Sequence, residues 1–455
     1  MSAYTSAIRS SLLSNAQSGA SRIRQWSIFE LMNVEGKASS STASILGDGT
    51  GASVAVAEKL LQEVQLRLAL QHGRVAGLTD KLSEVVEHID GGNFNSKPIT
   101  PPSIKGQSRV IKACNFPVSI SIKEFSRRTD MAKLEGLKSM KCLKDLTQLH
   151  ENTYQLPYQI IEGDGKAILE NFNKPNQRYV SDIFDQIMAR HGTSVETLAD
   201  AVISVRNMKE MLKGISNRDL GYGKEVLSDD TIGSFLHSRL LIQLLCDHYM
   251  RLNKGKSTGA VSVGVDVVDV VDDAVTEAKH VCDANLGVAP EVCIEPDESI
   301  NCDFDPPPII RSWLHHAIVE VSKNAMTSNI EQWNMEPSLT KEPLPPNVRI
   351  NISRKESNLT INVVDQGTGL NDESSDKAFR FADSTTQKRW NRLEEQQSYA
   401  AVRQPLGSLG VGLPLSRMMM RVFGGNLDLT NNNTYGSGCT AVLKISYDEH
   451  FLAKN

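Results

Sequence analysis

Leu314–Met326, reading LHHAIVEVSKNAM, decides how this chain folds. Leu314, Ile318, Val321 and Ala325 recur at steps of four, three and four residues, the apolar stripe of an α-helix. Glu320 and Asn324 fall one turn apart on the opposite face, with His316 one turn before Glu320. A carboxylate and an amide held side by side bind a hydrated Mg²⁺, and the carboxylate also accepts a proton. Taken alone, the stretch also suits the solvated face of an ordinary amphipathic helix. The residues downstream tip the balance.

Val348, Ile350 and Ile352 alternate, as do Leu359, Ile361 and Val363, so two strands are expected around the polar turn Arg354–Asn358. The second strand runs into Asp365-Gln366-Gly367-Thr368-Gly369. A strand-end carboxylate accepts a hydrogen bond from an exocyclic amine, and the glycines let backbone approach a flat ring. D-x-G-x-G also suits a plain turn. Next comes GSLGVGLPLSR, Gly407–Arg417, in which Gly407, Gly410 and Gly412 open a helix, Pro414 suits its first turn and Gly424-Gly425 stop it. Free N–H groups and the dipole at such a terminus form an anion site that cradles phosphates. Tyr435–Ile445, YGSGCTAVLKI, is a glycine-rich turn entering a strand at Thr440.

In this order, the helix with E-x-x-x-N, D-x-G-x-G, G-x-x-G-x-G and the glycine-led strand resemble the ATP-binding (GHKL) domain of sensor histidine kinases, Hsp90, DNA gyrase and MutL. Within that superfamily the chain is most similar to mitochondrial protein kinases, the pyruvate dehydrogenase kinase and branched-chain α-ketoacid dehydrogenase kinase family. Their H-x-x-x-E-L-x-K-N-A-M helix is reproduced by His316, Glu320, Lys323, Asn324, Ala325 and Met326, and their G-L-P-x-S-R by Gly412–Arg417. Val268–Asp283 (VDVVDDAVTEAKHVCD) also resembles a family segment. Fainter likenesses lie in Ile187–Val202 and Phe235–Tyr249.

The resemblance implies roles position by position. Glu320 is expected as the general base that takes the serine hydroxyl proton, tuned by a hydrogen bond from His316, and Asn324 as the Mg²⁺ ligand. Lys323 and Thr327 belong to the same nucleotide-facing helix. Asp365 is expected to read the adenine amino group, with Gly367 and Gly369 clearing space beside it. Ser384 and Thr385 match the family's Ser-Thr pair near the nucleotide. Gly407, Ser408, Leu409, Gly410, Val411, Gly412 and Leu413 would line the phosphates, and Thr440 would complete the adenine pocket. The cofactors implied are ATP and Mg²⁺.

Departures stand beside the matches. Thr327 replaces the family's arginine, Ser408 a glycine of its loop, and Gln366 and Thr368 the Arg and Gly of D-R-G-G-G. Thr386–Gly407 is longer and more charged than the family's lid. No D-W-bearing tail follows Ile445, which puts that mode of lipoyl-domain capture in question. Its absence, with Gly287–Ile294 (GVAPEVCI) and Gly424–Leu429 (GGNLDL), leans toward the branched-chain kinase.

The expected fold class is α+β. An N-terminal helical bundle (28–253) precedes an α/β sandwich ATP-binding kinase domain (254–455) with one mixed sheet covered by helices. A chain of 455 residues exceeds one ordinary core. A formal charge of −5 argues against nucleic acid, and no apolar run approaches the roughly 18 residues that span a membrane. The seven scattered cysteines form no C-x-x-C pair and are expected as reduced thiols. Helix is expected over Val54–Val75, through most of Ser119–Asn253 and from Asp266 to about Cys282, with loops at 36–53 and 91–107 and a junction at Lys254–Val265. His237 lacks the acid and proline that follow a phosphoacceptor histidine.

The first 29 residues contain no Asp or Glu, while Arg9, Arg22 and Arg24 alternate with serines, the composition of a mitochondrial transit peptide over about 1–27. Two functions are expected as alternatives. One is a homodimeric matrix protein-serine kinase acting on the E1 component of a 2-oxoacid dehydrogenase complex, with the E2 lipoyl domain as a second partner. The other is a nucleotide-binding regulatory protein of the same fold that transfers phosphate poorly.

Overall fold

The computed structural model describes residues 7–8, 10–15, 17, 53–90, 122–212, 227–256, 258–298, 300, 307–335, 342–355, 358–370, 377–382, 410–422, 424–431 and 438–446. Among the described residues, helical residues within 7–17 are followed by α1 (Val54–Asp90), α2 (Ile122–Ile161), α3 (Lys166–Glu170), α4 (Lys174–Arg190), α5 (Ser194–Leu212) and α6 (Asp229–Asn253). The sandwich follows as α7 (Val267–Leu286), β1 (Val292–Pro296), α8 (Arg311–Met335), β2 (Val348–Lys355), β3 (Asn358–Val364), α9 (Gly412–Arg421), β4 (Asn426–Asn431) and β5 (Cys439–Ser446). The expected loop at 91–107, the linker up to residue 52, and Ser384, Thr385, Gly407, Ser408 and Leu409 lie outside the described residues.

The chain forms two compact units. The first comprises Met1–Ser21, Leu68–Gln155 and Arg190–Phe235. Gly136 of α2 brings its backbone so near Val86 of α1 that a Cβ there would lie 2.6 Å from Val86 Cγ2. Ser139 Oγ donates to the Ala201 carbonyl at 2.9 Å, and Gln71 Nε2 to that of Phe235 at 3.0 Å, so buried polar groups are satisfied inside the bundle. Ile8 and Leu12 are buried in this unit, and Asn15 Nδ2 donates to Tyr154 Oη at 2.7 Å. These residues fall within the stretch expected to be a removable leader, and they pack as part of the fold.

The second unit comprises Arg22–Arg67, Leu156–Ala189 and Leu236–Asn455. Its sandwich is entered through glycines at left-handed φ, Gly255, Gly259 and Gly264. Ser262 and Ile309 exchange backbone hydrogen bonds of 2.8 and 3.0 Å, tying the junction to the start of α8. Asp266 caps α7 by accepting from Val268 N at 2.8 Å, and Gly287 closes it at φ 77° after Leu286, four residues beyond the expected end at Cys282.

The sheet is mixed and five-stranded, in the order β1-β2-β3-β5-β4. Only β1 with β2 is parallel; the other pairings are antiparallel. The expected alternation holds on the two central strands. Val348, Ile350, Ile352, Leu359, Ile361 and Val363 face a core shared with Ala274 and Ala278 of α7 and Ile318, Val321 and Ala325 of α8. Each Val, Leu or Ile side chain among them contributes about 1.5–3 kcal/mol on burial. Neither β1 nor β4 was expected. Both are edge strands of five and six residues whose burial does not alternate.

Candidate active site

Helix α8 carries the centre of the site, and it is buried on far more of its circumference than the stripe implied. Glu320 is only 8% exposed and Lys323 7%, so neither lies on a solvated face. Two such groups enter a core together only if they pair. Lys323 Nζ lies 2.6 Å from Glu320 Oε1 and donates to it. Glu320 Oε2 makes no hydrogen bond among the described residues. Asn324, the next residue, is exposed and has no side-chain hydrogen bond among the described residues.

The expected His316–Glu320 hydrogen bond is absent: His316 Nε2 is buried with no partner among the described residues. Burial lowers the His316 pKa, and the nearby Glu320 charge opposes that shift without reversing it. The imidazole is therefore neutral at neutral pH. Thr327 Oγ1 donates back to the Lys323 carbonyl at 2.7 Å. The hydroxyl is thereby committed to the helix.

The second part of the site stands at the end of β3. Asp365 is 6% exposed, and its Oδ1 accepts from Gly367 N at 2.9 Å and Cys439 N at 3.0 Å. Oδ2 makes no hydrogen bond among the described residues, which leaves it for a donor from outside. Burial raises the Asp365 pKa above the ordinary carboxylate value, while the two backbone N–H groups pull it back down.

The glycines here have identifiable tasks. A Cβ on Gly367 would run into Ser328 of α8, so this glycine lets the turn lie against the helix. Gly369 takes φ 73°, in the left-handed region.

Two residues missed by the sequence reading hold these parts together. Asn329 of α8 is fully buried; its Nδ2 donates to Pro346 O at 2.8 Å, and its Oδ1 accepts from Gln366 N at 2.7 Å. One amide thus fixes the entry to β2 and the residue after Asp365 against the same helix. Its signal was a mid-helix asparagine, a residue type that disfavours helix interiors unless its amide is used. Cys439 is the other. Its backbone N–H bonds Asp365, its thiol is buried, and burial pushes that thiol up to about 12. Thr440, the expected adenine contact, pairs with Val364, on the face of β5 turned away from the core.

The third part is the N-terminus of α9. Gly410 has φ 74°, and Val411, at the N-cap, supplies no side-chain cap. The first N–H groups of α9 therefore have no side-chain cap at that position. Gly410 O accepts from Ala382 N at 2.9 Å, joining the 377–382 segment to the loop. Arg417 of α9 lies 4.1 Å over the Phe379 ring and donates to Asp428 Oδ1 at 2.9 Å. Among the described residues no cluster of three or more His, Cys, Asp or Glu could hold a metal by itself.

A cavity of about 260 Å³ opens between α7 and α8. Glu277 and Val281 line it from α7, and His315, His316, Val319, Glu320 and Lys323 from α8.

Residues 310–449 match the family of histidine kinase-, DNA gyrase B-, and HSP90-like ATPases. The chain is 25% identical over 309 residues to the mitochondrial [pyruvate dehydrogenase (acetyl-transferring)] kinase isozyme 1 of Rattus norvegicus, covering 64% of this chain and 67% of that one. It is 25% identical over 373 residues to isozyme 4 of Mus musculus, covering 79% and 80%. To the kinase of Ascaris suum it is 27% identical over 304 residues, covering 65% and 67%. The chain thus carries a histidine kinase-like ATPase domain and is similar along most of its length to mitochondrial pyruvate dehydrogenase kinases, which are ATP-dependent protein kinases.

Proposed function

We propose that the chain is a protein-serine kinase that uses Mg-ATP to phosphorylate the E1 component of a mitochondrial 2-oxoacid dehydrogenase complex. The observation that carries this reading is the adjacency, on α8, of a buried carboxylate with one uncommitted oxygen and an exposed, unbonded amide. Asp365 Oδ2 accepts from the adenine amino group, and the uncapped N-terminus of α9 takes the phosphates. Asn324 would hold Mg²⁺, which when bound offsets phosphate charge. The serine oxygen forms its bond to the γ-phosphorus as the bond to the β–γ bridging oxygen breaks. The hydroxyl proton passes to Glu320 Oε2 and ADP leaves. Lys323 holds Oε1 and so orients the other oxygen.

A weak regulatory nucleotide binder is the second reading, and one observation favours it. Thr327 stands where the kinases carry a cation, and its hydroxyl is spent on the Lys323 carbonyl. Incubation with labelled ATP and purified pyruvate and branched-chain E1 in turn, followed by mapping of phosphoserine, separates the two. Label on serine of either E1 supports the kinase and names its substrate; label on neither supports the regulatory reading.

The matrix is the compartment we assign, because the relatives are named mitochondrial and the first 29 residues carry no acid. Because Ile8 and Leu12 are packed in the fold, protein isolated from mitochondria should still contain them. Terminal sequencing that begins after about residue 24 would restore the leader reading. A homodimer and capture of an E2 lipoyl domain are proposed from the family resemblance. Sizing of the full chain, with and without lipoyl domain, tests both.

A further inference from the structure

The cavity between α7 and α8 shares Glu320, Lys323 and His316 with the site, yet its lining includes neither Asp365, Cys439 nor any residue of α9. Nor does it include Asn324, the exposed amide assigned to the metal side. Glu320 therefore lines a recess whose wall carries neither Asn324 nor Asp365 nor the start of α9. A base for a hydroxyl must be reachable from the side by which that hydroxyl arrives. At about 260 Å³, the recess equals roughly eight or nine water volumes of ~30 Å³ each, room for a serine side chain and part of a neighbour. Val281 and Val319 supply apolar wall.

The charges in the recess are unequally matched. Glu320 is paired with Lys323 at 2.6 Å. Glu277, with its side chain 54% exposed, has His315 at 3.8 Å, beyond hydrogen-bond reach and cationic only when protonated, and its charge also reaches the neutral His316. The lysine that lines the recess, Lys323, is engaged with Glu320, and Lys279 and Arg311 of the same two helices pair with Glu291 and Asp273. The mouth thus presents one uncompensated carboxylate.

We propose that this recess is the channel by which the acceptor hydroxyl reaches Glu320, and that Glu277 selects acceptor segments bearing a cationic side chain beside that hydroxyl. The proposal rests on the kinase reading and adds to it the charge of the substrate segment. Rim charges govern partner choice more than raw affinity, and a partly exposed pair contributes up to about fivefold.

The test uses the full chain and two fluorescein-labelled serine peptides, one flanked by arginines and one by glutamates. Anisotropy with a non-hydrolysable ATP analogue present reads binding without phosphoryl transfer. The parent is expected to bind the arginine peptide about fivefold tighter, Glu277→Gln to abolish the preference, and Glu277→Lys to reverse it. Nucleotide affinity should stay within twofold in all three. Val281→Trp, which fills the recess, should weaken both peptides alike. Equal binding of both peptides by the parent, no binding of either, or a preference unchanged in Glu277→Lys would each overturn the proposal. Failure of the kinase reading shows separately, as absence of transfer to any E1 by a parent that still discriminates the peptides.

Discussion

Lys323 Nζ and Glu320 Oε1, 2.6 Å apart, form an ion pair enclosed within the site, each side chain about one-tenth exposed. Removing one partner from such a pair strands the other, which costs more than the pair contributes. Lys323→Ala should therefore lower stability by about 3–5 kcal/mol, read by denaturant unfolding. The double variant Lys323→Met with Glu320→Gln should recover most of that loss, since no buried charge remains. Equal losses in the single and double variants would show that the pair is not coupled.

Asp365 gives a pH prediction. Burial raises its pKa, so the ionised carboxylate costs the folded state stability above that pKa, and the cost fades as pH falls toward the ordinary Asp value. Asp365→Asn should be at least as stable as the parent at neutral pH. Its Oδ1 can still accept from Gly367 and Cys439, but its Nδ2 would then face the adenine amino group donor to donor. Nucleotide affinity should fall roughly ten- to hundredfold, the worth of a hydrogen bond to a charged group. In the parent, affinity should weaken on acidification at a higher pH than an ordinary aspartate would cause. Calorimetric titration of both proteins across pH checks this, and a parent profile flat down to the ordinary value removes Asp365 from the adenine contact.

The central elements were legible because they repeat. Ile350, Ile352, Leu359 and Ile361 alternate on strands buried on one face, and Ile318, Val321 and Ala325 keep helical spacing. Burial of Glu320 was not legible, because pairing with Lys323 makes it possible and the sequence shows two charges three apart on any helix. Strands β1 and β4 escaped because edge strands lack a second neighbour to enforce alternation. The bond from Cys439 N to Asp365 was not legible because strand register decides which residue of β5 comes beside the end of β3.

Asn329 links α8 to both β2 and the Asp365 turn. Asn329→Leu keeps the branched shape but orphans Pro346 O and Gln366 N, at about 1–3 kcal/mol for each buried group left unpaired. Melting temperature should drop, and nucleotide affinity should drop further than in Asn324→Ala controls matched for stability. Unchanged stability would mean that water replaces the amide.

Two glycines should respond oppositely to alanine. Gly438 has φ 108°, and its Cβ would strike the Asp365 carbonyl oxygen, so Gly438→Ala should cost at least about 1–3 kcal/mol and displace the adenine carboxylate. Gly77 lies within α1 with nothing near its Cβ, so Gly77→Ala should stabilise by about 0.5–1 kcal/mol. Chemical denaturation of both variants distinguishes the left-handed, crowded position from the helical, open one.

Glu320 and Asn324 are neighbours one turn apart with opposite exposure, and they should fail differently. Glu320→Gln keeps the shape and a hydrogen-bonding oxygen toward Lys323 but cannot take a proton. Its affinity for Mg-ATP should stay near the parent's while transfer slows by ~10²–10⁴-fold, the range for loss of a general base. Asn324→Ala removes an exposed amide from the metal side, so its loss should appear in Mg-ATP binding itself, and raising the Mg²⁺ concentration should recover part of it. Single-turnover phosphorylation of E1 beside nucleotide titration separates the two effects. Transfer by Glu320→Gln at the parent rate would remove Glu320 as the base and leave the neutral His316 next in line, since it lines the same recess with its Nε2 unbonded.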